Sequence, residues 1–277
     1  MHSPDIRSKE VMTAGAVRPW HVLFILVFAY AVGFVAGHKL TLGIGEPVRP
    51  YLRIAVVTVI TAFIYIVFLV VVPELRRALP LLFARPGTSI LPGDIGWAIA
   101  AMTCWGYGFY RVAALLPVLH LWPGAYDDLG FVEAVPAFEA RFLLVIGAMV
   151  VLGPLGEELM FRGFLMNLWI ARKGRWSGVI LSSMVFGLFH WESALFAGIL
   201  GVAFALIYLK YDSLWPGIAL HALYNATTPF WVLGGLVAVK PRGDPTNPSS
   251  WTFEIVLAIL FFPAAWQFWR RFRPRGA

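Results

Sequence analysis

Long apolar runs, separated by short polar or Pro/Gly-rich stretches, set the pattern of this chain. A helix that crosses a bilayer needs about 20 mostly apolar residues. Eight runs approach or exceed that length, at 20–38, 52–73, 95–119, 138–155, 176–191, 194–210, 214–236 and 252–269. The pattern predicts an all-α polytopic membrane protein with about eight transmembrane helices. The fourth run does not stop at 155. It passes Gly153-Pro154 and keeps a helical pattern to about 171, so a kink is expected where proline removes a backbone donor. The turns after the fifth and sixth runs are very short, which makes those helices antiparallel neighbours. Stretches 74–94, 120–137 and 237–251 read as longer loops, the last rich in Pro, Gly, Asn and Ser. No internal repeat or low-complexity tract breaks the pattern, and 1–277 reads as a single membrane domain.

Composition strengthens this reading. The chain is 60% hydrophobic and only 13% charged, against about 25% charged in soluble domains. Cys104 is the sole cysteine, which excludes an intrachain disulfide and a cysteine-built zinc site. A net charge of +7 would fit a nucleic-acid partner, but no soluble basic segment is long enough to form such a domain. The charge instead biases topology. Fourteen Lys and Arg fall on one side of an eight-span arrangement with its N-terminus inside. Six fall on the other: Lys39, Arg49, Arg53, Arg141, Lys240 and Arg242. This excess predicts that both termini are cytoplasmic. Residues 1–19 lack an apolar core, and the run from Trp20 ends in Gly37-His38-Lys39 rather than a small-residue cleavage site. An uncleaved first span is expected.

Polar residues inside the apolar runs change the picture most. Glu157, Glu158 and Arg162 lie within six residues. Each charge at a helix centre costs about 2.5–3.5 kcal/mol, so something must hold them there. Residues four apart share a helix face, which lays Glu158 over Arg162 as a self-neutralising pair. Glu157 points about 100° away from Glu158, free to face a cavity. The fifth run places Phe186 and His190 four apart, and the seventh places His221 and Asn225 four apart. A lone membrane histidine is ordinarily a packing residue. Two histidines, an asparagine and a spare glutamate on three neighbouring helices make a base and its donors.

Glu157-Glu158-x-x-x-Arg162, Phe186-x-x-x-His190 and His221-x-x-x-Asn225 resemble the three motifs of the CPBP family, the CAAX proteases and bacteriocin-processing enzymes. The resemblance makes 138–232 the catalytic core. It implies an intramembrane endopeptidase of the glutamic type, hydrolysing a peptide bond near the hydrophobic or lipidated C-terminus of a substrate protein. Under it, Glu157 is the general base on a water that His190 helps to hold. His221 and Asn225 donate to the oxyanion, and Glu158, Arg162 and Phe186 support the geometry. The implied partner is a membrane-associated protein or peptide within the lipid bilayer. The implied setting is a bacterial inner membrane. A prenylated-type tail, a bacteriocin leader and a C-terminal sorting segment, the last being the role of the myxosortase branch, all remain open as substrates.

Glu157, His190 and His221 also have the chemistry of a His-His-Glu zinc site with one open position. The chain has no His-Glu-x-x-His. Using Glu157 as a ligand would leave only the paired Glu158 as base. No metal cofactor is therefore expected, with zinc on that triad as the alternative. Serine, aspartyl and cysteine chemistries lack their motifs; Cys104, Arg111 and His120 lie on one run or at its end. A non-enzymatic scaffold or bacteriocin-immunity protein using the same cavity is the competing function. A proton-coupled transporter is a third, though no inverted repeat is present.

Overall fold

The computed structural model describes residues 17–44, 48–109, 112, 146–190, 193–233 and 252–274. Among these, every regular element is a helix. In chain order they are α1 (Pro19–Leu40), α2 (Val48–Val71), α3 (Pro73–Leu82) and α4 (Pro92–Thr103), which continues as π turns over Cys104–Phe109. Then come α5 (148–173), α6 (Arg175–Phe189), α7 (Ala194–Tyr211), α8 (Leu214–Leu233) and α9 (Thr252–Phe272). Pro19–Leu40, Leu52–Val71, Ala194–Tyr211 and Thr252–Phe272 are long and apolar enough to cross a membrane. Four of the eight expected spans thus have such a helix. Residues 113–145 and 234–251, which include Arg141 and the expected loops at 120–137 and 237–251, lie outside the described residues, as does Arg111. Phe24, Phe63, Ile259 and Phe262 are each more than 60% exposed. Large apolar side chains turned outward along whole helices suit a hydrocarbon surround and not water.

The stretch 74–94, expected as a loop, contains α3. Leu75, Ala78 and Leu82 recur at helical spacing and are buried, while Arg76 and Arg77 are exposed. Proline at its first turn suits a helix start, where no N–H is needed. The helix is amphipathic and too short and charged to read as a span.

Helix α1 packs against α2 through Gly33-x-x-x-Gly37. A Cβ at Gly33 would lie 2.8 Å from Thr61 Oγ1, and one at Gly37 2.8 Å from Val57 Cγ2. Small residues here let the backbones approach, as apolar helices in lipid require. The end of α4 meets α9 still more closely. A Cβ at Gly108 would sit 2.4 Å from the Ala258 nitrogen and 2.5 Å from the Leu257 carbonyl carbon. Backbone cannot give way as a side chain can. Gly108→Ala is expected to lower stability by about 1–3 kcal/mol, seen as a lower unfolding midpoint in detergent. Buried Asp94 ties the same region together, accepting from Lys210 and Tyr211 on α7 and Arg271 on α9.

Helix α5 changes winding three times. It is π-helical over Ala148–Leu152, α-helical over Gly153–Glu157, π-helical over Glu158–Met166 and α-helical over Asn167–Lys173. The kink expected at Gly153-Pro154 takes this form, because Pro154 has no N–H for an ordinary helical bond. Asn167 Nδ2 donates to the carbonyls of Arg162 at 3.0 Å and Gly163 at 2.9 Å, satisfying acceptors at the return to α winding.

Helix α6, expected as a full span over 176–191, has 15 residues. At 1.5 Å per residue it covers about 22 Å, short of a hydrocarbon core of about 30 Å. It ends at His190, where the His190 N–H donates to the Gly187 carbonyl at 2.8 Å. At the same junction a Cβ on Gly187 would lie 2.4 Å from the Ala194 carbonyl oxygen, so α6 and α7 meet closely there.

Candidate active site

Adjacent glutamates on α5 have different surroundings. The Glu158 side chain is fully buried and that of Arg162 is 1% exposed. Glu158 Oε1 accepts from Arg162 Nη1 at 3.0 Å and lies 3.0 Å from His221 Nδ1. Arg162 Nη2 donates to the Gly201 carbonyl of α7 at 3.1 Å. Its guanidinium carbon sits 4.3 Å from the Phe186 ring centroid and 5.4 Å from that of Phe204, within cation–π range. Glu158, Arg162 and Phe186 thus make a buried charge pair on an aromatic floor.

Glu157 stands apart from that pair. Its Oε2 has no hydrogen-bond partner among the described residues. The nearest counter-group is His221 Nε2 at 3.7 Å, an ion-pair separation but too long for a hydrogen bond. His221 therefore lies between the two carboxylates, with one nitrogen toward each. Its ring stacks on Phe204 at 4.4 Å and 19°, which fixes the plane in which its nitrogens point.

Glu157 and His190 both line a cavity of about 280 Å³, walled further by Tyr30, Phe34, Arg53, Thr58, Tyr65, Leu152 and Phe161. His190 Nδ1 lies 2.8 Å from the Phe186 carbonyl oxygen. A carbonyl only accepts, so Nδ1 carries the hydrogen of this bond, and the neutral ring then has its lone pair on Nε2. His221 and Asn225 are not among the residues lining this cavity. Asn225 Nδ2 donates to the Met149 carbonyl at 2.9 Å, tying α8 to the first π turn of α5 and leaving its second N–H for another acceptor.

The structure therefore brings Glu157 and His190 to one cavity and links Glu157, Glu158, Arg162 and His221 in one chain of contacts. It sets Asn225 against α5. Among the described residues no three His, Cys, Asp or Glu side chains converge closely enough to hold a metal ion. Glu157, His190 and His221 do not form such a group, and the His221 nitrogens are directed at the two glutamates.

Sequence reasoning missed Phe204, Tyr65 and Arg53. Phe204 sits in a helix apolar throughout, and no spacing marks it. Tyr65 and Arg53 lie on α2, far from the motifs in sequence. The one available signal was a charge at position 53 beside an apolar run, which reads first as a loop residue.

Residues 139–227 match the profile of a protein family described as Type II CAAX prenyl endopeptidase Rce1-like. The match spans all three motifs, from Glu157 to Asn225, and makes this segment similar to the kind of protease family that the motifs resemble. No curated protein and no solved structure matches the chain.

Proposed function

We propose that this chain is an intramembrane endopeptidase that hydrolyses a peptide bond near the hydrophobic or lipidated C-terminus of a membrane-associated substrate, using water activated by Glu157 without a metal ion. One observation carries the reading. Of two adjacent glutamates, Glu158 is occupied by Arg162 and His221, while Glu157 Oε2 has no hydrogen-bond partner among the described residues and its side chain lines the cavity.

The cavity supports the roles of Glu157 and His190, and those of His221 and Asn225 are the ones the resemblance implies. A water in the cavity gives a proton to Glu157 as its oxygen attacks the scissile carbonyl carbon. His190 Nε2 accepts from the same water and orients it. As the C–O bond forms, the carbonyl electron pair moves onto oxygen. His221 Nδ1 is held by Glu158, which leaves Nε2 as the nitrogen for a further partner, and Asn225 has one N–H beyond its bond to the Met149 carbonyl. These two are the donors for the oxyanion. Glu157 then passes its proton to the leaving amine as the C–N bond breaks. The family match of the segment supports a peptidase; the choice of Glu157 as base rests on Glu158 being taken by Arg162 and His221.

The test is cleavage of a panel of apolar C-terminal tail peptides by the purified protein in liposomes, read by mass spectrometry. His190→Ala is expected to lower kcat by about 10²–10³-fold with little change in folding. Cleavage of no peptide, with cellular function kept in Glu157→Gln, would move the protein to the scaffold class.

A further inference from the structure

Arg53 is the one cavity-lining charge that the catalytic scheme does not use. It is the second residue of Leu52–Val71, the stretch of α2 that is apolar enough to cross a membrane. Its Nε is buried without a hydrogen-bond partner, and among the described residues its guanidinium pairs with no carboxylate. Arginine in such a helix ordinarily pairs or turns its head to the interface. Arg53 packs its stem on α1, where a Cβ at Gly37 would lie 3.5 Å from its Cγ. The side chain lines the cavity that holds Glu157 and His190. A guanidinium that lines the cavity and has no carboxylate partner among the described residues is suited to a planar carboxylate, which it grips through two N–H donors.

The spacing along α2 indicates whose carboxylate. A Cβ at Gly153 would touch both Thr58 Cγ2 at 3.8 Å and Glu157 Oε1 at 3.9 Å, so the Glu157 carboxylate lies beside the Thr58 turn. Thr58 is five residues from Arg53, about 7.5 Å along the helix axis. Two or three extended peptide residues, at about 3.3 Å each, bridge that gap. Phe34, Ile54, Val57 and Leu152 supply apolar wall around it. A peptide with its terminal carboxylate on Arg53 would present a bond a few residues upstream to Glu157. A lipid headgroup would gain no such alignment.

We infer that Arg53 is a specificity-determining residue that binds the free C-terminal carboxylate of the substrate peptide. This rests on the endopeptidase reading, so the experiment separates the two. The full-length protein, carrying Glu157→Gln to prevent turnover, is placed in phosphatidylcholine nanodiscs. Binding of a fluorescent apolar hexapeptide is measured with its C-terminus as free acid and as amide. The free acid is expected to bind at least about tenfold more tightly than the amide, as a charge-assisted pair does. Adding Arg53→Gln should bring the acid to the affinity of the amide, and Arg53→Lys should keep part of the difference. Equal affinity for acid and amide, binding of neither, or a difference that survives Arg53→Gln would overturn the inference. So would a result in which Arg53→Gln alters only retention of anionic phosphatidylglycerol, which would make a headgroup the ligand. Cleavage of the same pair by wild type is run in parallel. Acid-selective binding with no cleavage of either peptide overturns the endopeptidase and leaves the carboxylate site standing. Equal cleavage of acid and amide overturns the role of Arg53 and leaves the endopeptidase.

Discussion

Glu157→Gln should lower peptide cleavage by about 10³-fold or more in kcat, the upper part of the range for a lost general base, while the protein stays folded. The amide keeps the shape of the carboxylate but cannot take a proton from water. Glu157 Oε2 makes no hydrogen bond among the described residues and meets His221 Nε2 only at 3.7 Å, so its replacement by the isosteric amide removes no hydrogen bond from that oxygen. The unfolding midpoint should therefore stay within about 2 °C of wild type, as expected for a change well under 1 kcal/mol. Circular dichroism on the same preparations used for kinetics checks both halves. A loss of activity accompanied by an equal loss of folded protein would point instead to a structural role.

Arg162→Leu should produce the opposite pattern. It leaves Glu158 fully buried with only His221 as partner, and it removes the bond to the Gly201 carbonyl and the contact with Phe186. Breaking one side of a buried charge pair costs about 3–5 kcal/mol. Much of this is the stranded carboxylate, so Glu158→Gln combined with Arg162→Leu should recover a large share of it. Denaturation of the single and double variants in detergent forms the cycle. Additive losses would show that Glu158 and Arg162 do not stabilise the fold as a pair.

The fold and the site were legible to different degrees. Helix positions followed from apolar runs, and the observed ends of α1, α7 and α9 fall within about three residues of the expected spans. The i, i+4 rule paired Glu158 with Arg162, and the 3.0 Å contact matches it even though this part of α5 is π-wound. What stayed hidden was tertiary. No spacing shows that His221 bridges two glutamates, that Phe204 supports its ring, or that α2 walls the cavity. α3 buries its apolar face within 10 residues, about half the length by which a span shows in the apolar pattern. The expected run 176–191 and α6, Arg175–Phe189, agree to within two residues at each end.

The central claim is that a glutamate and not a metal activates the water. The most direct measurement is cleavage of one tail peptide by the liposome-reconstituted protein before and after exhaustive chelation, with Glu157→Gln alongside. The account predicts that wild type cleaves at the same rate after chelation and that Glu157→Gln does not cleave in either condition. Activity lost on chelation and restored by zinc, or cleavage retained by Glu157→Gln, would contradict it.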